Sequence, residues 1–524
     1  MKKLNRIIAL FVLIFFLGSC EKDFLETSPT GQLSSDLMFE SIEGANLALN
    51  GMYRYLYAFH PGFGWGYGNH DGFGHMAHLL EMDLMGEDMV VHSAGYGWFN
   101  AQHRWLTHRN SVAGVTHERW RMPYAVINNA NIIILYVDDV EAPTAQKNMI
   151  KAQALAARAF AYYHLAAMFS DFTNSSAPAI PLYTLPGQEG HPRSSVGEVF
   201  DLIYSDLDQA IAYFDGNNSR PHRSFINLAT AHGFYARAAL SQGDWALARD
   251  HADMAINLHG AGNLFSPGDY PEEFSLIHDD DGNVVGYNFT AMAGFNNAAM
   301  SSEWMWGSII NDEHATIYAS YMSHMDPRFM TYASLGGQKK ITQELYDMIP
   351  DTDRRRNLWV PPDLSFVGQY GGYGADIPPL TQMKKLVQVL GAWEADYIYM
   401  RLAEMFFIKA EAQSRLGQDA DAAQTLYDVV SHRDPAYTLS TSTGSTLRAE
   451  IMLHRRIELW AEGHRWIDLK RQGLPLQRPS GPGNHDPGMA GVLEVAAGHN
   501  DWNWLIPQDE LDANDAIGSG DQNP

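Results

Sequence analysis

The stretch NLATAHGFYARAALSQGDWALARDHADMAINL, from Asn227 to Leu258, decides the fold class of this chain. Its small and apolar residues recur every three to four positions on both sides of Gly243, which predicts two amphipathic helices joined by a glycine turn. Ala236 in the first helix precedes Ala248 in the second by twelve positions. Small residues in these places let two helices approach closely, as in a tetratricopeptide (TPR) hairpin.

A second hairpin repeats this pattern nearer the C-terminus. Ala410 is followed by Gly417 and then, again twelve positions after the first alanine, by Ala422. A hairpin of this kind cannot bury its faces alone, so further helices must stack against it. We expect the helices at 145–169 and 196–214 to do so, and the prolines between them exclude one continuous helix.

The periodicity predicts a mainly α protein, with TPR-like helical hairpins and long irregular, aromatic-rich loops. The predicted helices are Ser41 to Ala58, Trp120 to Val137, Ala145 to Phe169, Val196 to Phe214, Asn227 to Ser241, Trp245 to Leu258, Tyr397 to Arg415, Ala420 to His432 and Ser445 to Arg471. We divide the chain into a helical region at 41–258, an irregular, loop-rich region at 259–396 and a helical region at 397–524. Long aromatic loops are usually functional, so we expect the middle region to face a ligand.

The N-terminus has the layout of a secretory signal. Basic residues precede an apolar run at 7–17, which is too short to span a bilayer. Gly18 and Ser19 then precede Cys20, the only cysteine of the chain, in an arrangement similar to a bacterial lipobox. A lone cysteine cannot form an internal disulfide. The sequence therefore predicts a signal peptide at 1–19, acylation of Cys20 and a lipidated tether at 20–40.

Composition excludes some classes of partner. The chain has 36 basic and 61 acidic residues and a net charge of -25, so it lacks the basic footprint of a nucleic-acid-binding protein. The apolar fraction of 46% suffices for a large core. Past Cys20 no apolar run approaches membrane-spanning length. We therefore expect contact with a membrane through the lipid anchor only.

The C-terminal stretch RRIELWAEGHRWIDLKRQG, from Arg455 to Gly473, carries alternating charges. Pairs such as Glu462 with Arg465, or Asp468 with Arg471, have the spacing of surface ion pairs on a helix, each worth a few tenths of a kcal/mol. Such pairing is a better explanation of these residues than acid–base catalysis. No Walker loop, dinucleotide fingerprint or serine-hydrolase elbow appears in a usable context. We therefore predict a protein without catalytic residues.

Two further groups of residues suggest metal sites only weakly. His70, His75 and His78 lie close together, but the glycines before His75 argue against the regular helix that would align them. The run at 279–283 offers Asp279, Asp281 and Asn283 as oxygen ligands, but Thr290 occupies the place of the bidentate glutamate of a calcium loop. A hairpin turn at Asp281-Gly282 is the better explanation. We expect no cofactor beyond a weak possibility of calcium there.

Aromatic residues interleaved with glycine and amides are the best candidates for ligand binding. Sugar rings stack on indole and phenol rings, while amide and carboxylate groups bind hydroxyls, and pockets of this kind combine apolar walls with a few polar groups. The first cluster contributes the candidates Trp65, Tyr67, Asp71, Tyr96, Trp98 and Asn100, and the second contributes Tyr287, Asn296, Trp304 and Trp306. We expect the loops to present Trp65, Trp98, Trp304 and Trp306 to the ligand.

Several ordered motifs resemble the SusD/RagB family of surface lipoproteins of Bacteroidetes. They include GANLALNGMYRYLY at 44–57, WRMPYAVINNANIII at 120–134, RSSVGEVFDLIYSDLDQAI at 193–211, YMRLAEMFFIKAEAQSRLG at 399–417, the charged C-terminal stretch above and the closing WNWLIPQDELDANDAIGSGDQNP. The charged residues Glu21, Lys22 and Asp23 after Cys20 resemble the signal that sends such lipoproteins to the outer face of the outer membrane. The stretch 259–396 matches only loosely, as expected where ligands differ.

The resemblance implies a function. It implies a lipid-anchored protein on the cell outer membrane that captures a glycan or oligosaccharide and delivers it to a SusC-like TonB-dependent transporter. The helical stack would face this transporter. Two alternatives stay open, namely a binder of another nutrient such as peptides, which suits an acidic chain, and a surface glycosidase.

Overall fold

A computed structural model describes residues 35–59, 69–271, 275–278, 280–281, 284–288, 293–316, 318–328, 330–364, 366–367, 376–387 and 394–524. The predicted signal peptide, Cys20 and most of the tether therefore lie outside the described residues. The protein is mainly helical, which confirms the predicted fold class. Among the described residues, no helix is both long enough and apolar enough to cross a membrane.

The helices of the first half are α1 (Ser35–Met38), α2 (Ile42–Arg54), α3 (His75–Met85), α4 (Asn100–His103), α5 (Gly114–Tyr136), α6 (Thr144–Phe169), α7 (Val196–Phe214), α8 (Leu228–Gln242) and α9 (Trp245–His259). Those of the second half are α10 (Tyr321–Met325), α11 (Gln343–Asp347), α12 (Leu402–Arg415), α13 (Asp419–Val430), α14 (Gly444–Glu458), α15 (Arg465–Arg471), α16 (Pro487–Ala490) and α17 (Gln508–Ala513).

Both predicted hairpins are present. Gly243 joins α8 to α9 with a φ of 77°, and Gly417 joins α12 to α13 with the same φ, a left-handed conformation that favours glycine. The alanines at 236, 248, 410 and 422 are fully buried. Helix α9 also packs against α12, so the two hairpins stack on one another. The twelve-residue spacing thus identified the positions where the paired helices come close.

Helices α5, α6 and α7 extend this stack in chain order, and α7 packs against α8. Helix α6 lies at the centre of the stack and is almost wholly buried from Ile150 onward, where many of its residues are alanines. Small side chains let three neighbours pack closely on one helix. Helix α7 begins and ends where predicted, and Ser195 and Glu198 form a capping box that fixes its start.

The strands are short and form two-stranded antiparallel sheets. They are β1 (Met89–Val91), β2 (Ser275–His278), β3 (Val284–Asn288), β4 (Trp304–Ser308), β5 (Lys339–Ile341), β6 (Phe366–Val367), β7 (Asp376–Ile377), β8 (Tyr397–Arg401), β9 (Leu476–Gln477) and β10 (Glu494–Val495). Strand β1 pairs with β5 and β4 with β8. Strands β2 and β3 form a hairpin around the run at 279–283, as predicted.

Three helix predictions are wrong in part. The segment Tyr397 to Arg401 is strand β8 rather than the start of a helix, and all five of its residues are buried. A buried strand reads as an apolar run that periodicity cannot distinguish from a helix. The opposite error concerns His75, which begins the regular helix α3. Gly74 before it has a φ of 74°, and a Cβ there would lie 2.4 Å from the carbonyl oxygen of Leu56, so this glycine serves the turn into the helix.

The predicted helix from Ser445 to Arg471 is broken into α14 and α15. Ala461 and Gly463 between them have positive φ values of 62° and 80°. The Gly463 N–H donates to Oδ2 of Asp83 at 2.7 Å, and a Cβ on Gly463 would lie 2.5 Å from Cδ2 of Leu79. The chain therefore turns where it meets α3, and glycine is the residue that fits this contact.

The charges of this C-terminal stretch lie inside the protein, so the prediction of surface ion pairs is wrong. Glu458, Glu462 and Asp468 are buried. Asp468 does pair with Arg471 at 2.8 Å, but within the interior. Glu462 pairs with Lys384 and with Arg401 at 2.9 Å, while Arg465 pairs with Glu87. The pairs of Glu462 and Arg465 thus connect distant segments instead of neighbouring helical turns.

Arg401 is the centre of this interior network. Its guanidinium contacts Glu303 at 2.7 Å, Glu458 at 3.0 Å and Glu462 at 2.9 Å. Arg433 contacts Glu303 at 2.9 Å and Glu458 at 3.1 Å. Because each carboxylate meets more than one cation, the charges are compensated in spite of their burial. The network joins β4, β8 and α14.

Candidate functional site

A cluster of partly exposed rings lies at the surface around the turn at 94–98. We name the five residues His70, Tyr96, Trp98, Tyr318 and Tyr332 the aromatic surface. Tyr96 is 70% exposed, and the other four are half-buried. Tyr332 lies in the middle, with ring centroids 5.5 Å from Tyr96, 6.2 Å from Trp98 and 5.3 Å from Tyr318. Three separate parts of the sequence meet here.

The rings are not coplanar. His70 stacks on Trp98 at 5.3 Å with an interplanar angle of 18°, and on Tyr318 at 6.3 Å with an angle of 5°. Tyr332 is tilted by 57° against Trp98 and by 44° against Tyr318. Several ring faces of different orientation are thus offered within a small area. Such a surface can stack on the C–H faces of a ligand while its phenol groups form hydrogen bonds.

Backbone contacts hold the turn that carries Tyr96 and Trp98. The His92 N–H donates to the Gln338 carbonyl at 2.9 Å, and the Ser93 hydroxyl donates to the Gly336 carbonyl at 2.6 Å. These contacts continue the β1–β5 ladder toward the surface. The turn therefore has a rigid base, which reduces the entropy that ligand binding would cost.

Both imidazoles at the base of the surface are uncharged, although the buried Lys339 lies close enough to His324 to lower the pKa of that imidazole further. The His70 Nδ1 and the Tyr332 hydroxyl lie 2.5 Å apart, and His324 Nε2 lies 2.8 Å from the His70 carbonyl. Burial lowers the pKa of His324 to about 3 and also lowers the pKa of His70. Both imidazoles are thus neutral at neutral pH. The chemistry of this surface is stacking and neutral hydrogen bonding.

The structure separates the residues predicted from the first aromatic cluster. Tyr96 and Trp98 belong to the aromatic surface, whereas Trp65 and Tyr67 lie outside the described residues. Asn100 fastens the turn, because its side-chain amide donates to the Ala94 carbonyl at 3.0 Å.

Asp71 is buried and accepts a hydrogen bond from Gln102 at 2.8 Å. Burial raises the pKa of its carboxyl. The side chain of Asp71 therefore points into the interior and does not supply a ligand contact.

The second predicted cluster is mostly core, so its assignment to the ligand is wrong for the residues that can be judged. Trp304 and Trp306 on β4 are 0% exposed, and their indole N–H groups donate to the carbonyls of Gly294 and Ser224 at 2.6 and 3.2 Å. Asn296 is buried and donates to the Leu386 carbonyl. Large aromatics at a strand covered on both sides fill the core. Tyr287 lies on β3, and its side chain is outside the description.

Sequence reasoning missed Tyr318 and Tyr332 and considered His70 only as a metal ligand. Tyr332 lies four residues before the pair Gly336 and Gly337. Tyr96 and Trp98 also lie close to glycines, since they alternate with Gly95 and Gly97. An aromatic residue a few positions from a pair of glycines is the signal that could have found Tyr332. No glycine lies near Tyr318 in the sequence, so no local signal marks that residue.

The two groups of residues that suggested metal sites only weakly gain no support. His75 and His78 are buried on α3, where His78 Nε2 lies 3.4 Å from Glu118 Oε2, and burial lowers the pKa of both imidazoles. Among the residues described, no three His, Cys, Asp or Glu side chains are placed to hold one ion. Asp279 and Asn283 lie outside the described residues and Asp281 is exposed, so the weak calcium prediction stays a prediction.

The buried carboxylates of the C-terminal stretch are held ionised. The guanidinium groups of Arg433 and Arg401 keep the pKa of Glu458 well below its usual range, and Arg401 and Lys384 lower the pKa of Glu462, in both cases against the effect of burial. A general acid needs a proton to give near neutral pH. These carboxylates therefore have no proton to donate as general acids near neutral pH.

Sequence comparison assigns this mainly helical chain with its stacked hairpins to a family. The sequence pattern described as "SusD family" matches residues 382–524, and the one described as "Starch-binding associating with outer membrane" matches residues 72–240. The chain belongs to the SusD/RagB family.

Two curated relatives, both SusD-like proteins of Formosa agariphila, are similar over nearly their whole length. One is 23% identical over 485 residues, which cover 89% of this chain and 90% of the relative. The other is 23% identical over 514 residues, which cover 91% of this chain and 93% of the relative. The match thus extends through the loop-rich middle region as well as the helical regions.

Solved structures share the fold. A SusD-like carbohydrate binding protein from Bacteroides vulgatus has a TM-score of 0.75 at 24% identity, with 93% of this chain and 99% of that chain covered. Surface glycan-binding protein A from Bacteroides thetaiotaomicron, in complex with laminarihexaose, has a TM-score of 0.62 at 17% identity, with 92% of this chain and 99% of that chain covered. At these identities the similarity shows the fold.

Proposed function

We propose that this protein captures a glycan or its oligosaccharide fragments at the aromatic surface and delivers them, without catalysis, to a TonB-dependent transporter of the SusC type. The observation that carries the proposal is the uncharged cluster of partly exposed rings at 70, 96–98, 318 and 332. Rings of this kind suit the C–H faces of neutral sugars. The descriptions of the matched family and of the laminarihexaose complex support the same class of ligand.

The place of action follows from the sequence signals. Acylation of Cys20 would hold the protein on the outer face of the outer membrane, beside its transporter. The description "associating with outer membrane" for the pattern matched at 72–240 supports this location. Replacing the cysteine by Cys20→Ala should abolish labelling by a fatty-acid analogue and release the protein from the membrane fraction. Labelling that persists in this variant would contradict the lipid anchor.

Calorimetric titration of the protein lacking residues 1–20 tests the ligand class. The probes are laminarihexaose, maltohexaose, cellohexaose and xylohexaose, with a cationic and a neutral hexapeptide in parallel. We expect one or more of the sugars to bind and Trp98→Ala to weaken that binding about tenfold, equivalent to the loss of about 1.4 kcal/mol. Trp245→Ala, at a half-buried tryptophan on α9 outside the aromatic surface, is the matched control and should bind as the parent does.

The alternatives give different outcomes in the same experiment. If the peptides bind and none of the sugars does, the ligand is a peptide and not a glycan. The net charge of -25 would then favour cationic sequences. New reducing ends released from a polysaccharide above the background of a Trp98→Ala control would instead show a glycosidase. Delivery is tested by co-purification of the lipidated protein with the transporter from outer membranes.

A further inference from the structure

A second concave site lies on the helical side of the protein, in a cleft between α5, the loop at 181–192 and α17. Its volume is about 410 Å³, which is within the range of small-molecule pockets. The cleft is lined by Tyr124, Asn128, Tyr183, Leu185, Gln188 and Glu510 together with Trp120 and Arg121. We name it the α5 cleft. It shares no lining residue with the aromatic surface.

The walls of the α5 cleft are fixed by hydrogen bonds between the three segments. The Tyr124 hydroxyl donates to the Pro181 carbonyl at 2.8 Å, and the Asn131 amide donates to the Tyr183 carbonyl at 3.0 Å. The Trp120 indole N–H donates to Oε2 of Glu510 at 3.2 Å, which holds α17 against α5. A cleft so braced exists before a ligand arrives, so a ligand need not pay for its formation.

Its chemistry favours a neutral, hydroxylated ring. Tyr124 and Tyr183 are half-buried phenols with centroids 5.7 Å apart at 73°, and Leu185 at the mouth is 52% exposed. Within the described part of the chain, the exposed amide of Asn128 has no hydrogen-bond partner, so it can both donate to and accept from a ligand. One carboxylate, Glu510, and one guanidinium, Arg121, flank the cleft, so neither sign of charge prevails.

A peptide fits this cleft less well than a sugar. An extended peptide is bound mainly through backbone groups of its receptor. The carbonyls of Pro181 and Tyr183 already accept hydrogen bonds from Tyr124 and from Asn131 and Tyr162. What remains for a ligand is ring faces, an apolar rim and a side-chain amide. We infer that the α5 cleft is a second glycan site, which binds a neutral mono- or disaccharide unit independently of the aromatic surface.

The test uses a chain in which the aromatic surface is disabled by Trp98→Ala and Tyr332→Ala. Saturation-transfer NMR with maltose, cellobiose and methyl β-glucoside at millimolar concentration should still show transfer to at least one of these sugars. Adding Leu185→Trp, which places an indole at the mouth of the cleft, should weaken this binding about tenfold or abolish it. Leu135→Trp is the matched control, because Leu135 is a 43% exposed leucine on α5 that does not line the cleft.

Each outcome is decisive. Absence of transfer from all three sugars in the disabled chain would overturn the inference, even if the unaltered protein binds hexasaccharides at the aromatic surface. Equal binding by the Leu185→Trp and Leu135→Trp variants would also overturn it. Conversely, loss of transfer on Leu185→Trp alone would support the cleft even if Trp98→Ala has no effect on hexasaccharide binding and the proposed function at the aromatic surface fails.

Discussion

Replacing Gly463 by alanine should destabilise this protein strongly, for two reasons that the structure separates. The first is conformational, because Gly463 has a φ of 80°, and a left-handed residue with a Cβ costs about 1–2 kcal/mol. The second is steric. The new Cβ would lie 2.5 Å from Cδ2, 2.8 Å from Cβ and 2.9 Å from Cα of Leu79. The leucine Cδ2 can rotate away, but its Cα belongs to the backbone of α3 and cannot.

Overpacking of a core costs about 1–3 kcal/mol, so the two effects together predict a loss of about 2–5 kcal/mol. Gly473→Ala is the matched control, since this glycine has a φ of 61° and no atom lies within 4 Å of the place that a Cβ would take. It should lose only the conformational part, about 1–2 kcal/mol. Urea unfolding followed by tryptophan fluorescence measures both free energies of unfolding. Equal losses in the two variants would refute the steric argument and with it the role of Gly463 in fitting α15 against α3.

Three further perturbations have defined outcomes. Trp304→Ala should lower the free energy of unfolding by about 3–5 kcal/mol, because it leaves a cavity in the core. Trp98→Ala should change that free energy by less than about 1 kcal/mol while it weakens glycan binding. Thermal unfolding and titration measure the two effects, and comparable destabilisation by both variants would contradict the assignment of Trp304 to the core and of Trp98 to the surface. Arg401→Met should lower the free energy of unfolding by about 3–5 kcal/mol, because it leaves three buried carboxylates short of a cation. The control Lys409→Met, at a more exposed lysine, should lower it by about 0–1 kcal/mol. Equal losses in urea unfolding would refute this reasoning. The pKa of His324 is lowered from about 6.5 to about 3 in the folded protein, so the unfolded chain takes up a proton first and stability falls as the pH drops below 6.5. Between pH 7 and pH 5, the free energy of unfolding of His324→Gln should therefore fall by about 2 kcal/mol less than that of the unaltered protein. An identical pH dependence of stability in both proteins would contradict the assigned pKa.

Sequence signals predicted the ends of helices well where neighbouring residues alone fix the backbone conformation. Helix α7 begins at a capping box that can be read as Ser195 followed three residues later by Glu198, and it ends where its periodicity ends. Gly243 and Gly417 likewise marked turns that need a left-handed residue. In all these places, residues within one helical turn supply the interactions that fix the conformation.

Prediction failed where a distant contact decides the conformation. The break at Gly463 depends on Leu79 and Asp83, which lie far away in the sequence. Strand β8 exists because β4 pairs with it, and nothing within Tyr397 to Arg401 distinguishes a buried strand from the first turn of a helix. Glu462 and Arg465 have the spacing of a surface pair, although their partners are Arg401, Lys384 and Glu87 in other segments.

The same reasoning explains how far the site could be predicted. Composition identified the kind of residue, but exposure decides which aromatic residue can meet a ligand, and exposure is a property of the packed chain. Trp98 and Trp304 both lie near glycines and amides in the sequence, yet one borders the surface and the other is enclosed between β8 and the helices. Tyr318 and Tyr332 join the site only because the β1–β5 ladder brings their segment to the turn at 94–98.

The interior charges and the aromatic surface are connected by the elements that they share. Lys384 and Arg401 tie β8 and the segment after β7 to α14 and to the turn at Gly463, and that turn fits against α3. His70 lies just before helix α3 in the chain. Tyr321, on α10 between Tyr318 and Tyr332 in the chain, donates its hydroxyl to the Ala461 carbonyl in the turn at Gly463. The C-terminal stretch therefore braces two of the three segments that carry the rings. We therefore predict that Gly463→Ala weakens glycan binding as well as stability, although Gly463 does not belong to the aromatic surface. Gly473→Ala should leave binding unchanged. Titration of both folded variants with the hexasaccharide that binds best measures this, and unaltered affinity in folded Gly463→Ala would disconnect the two regions.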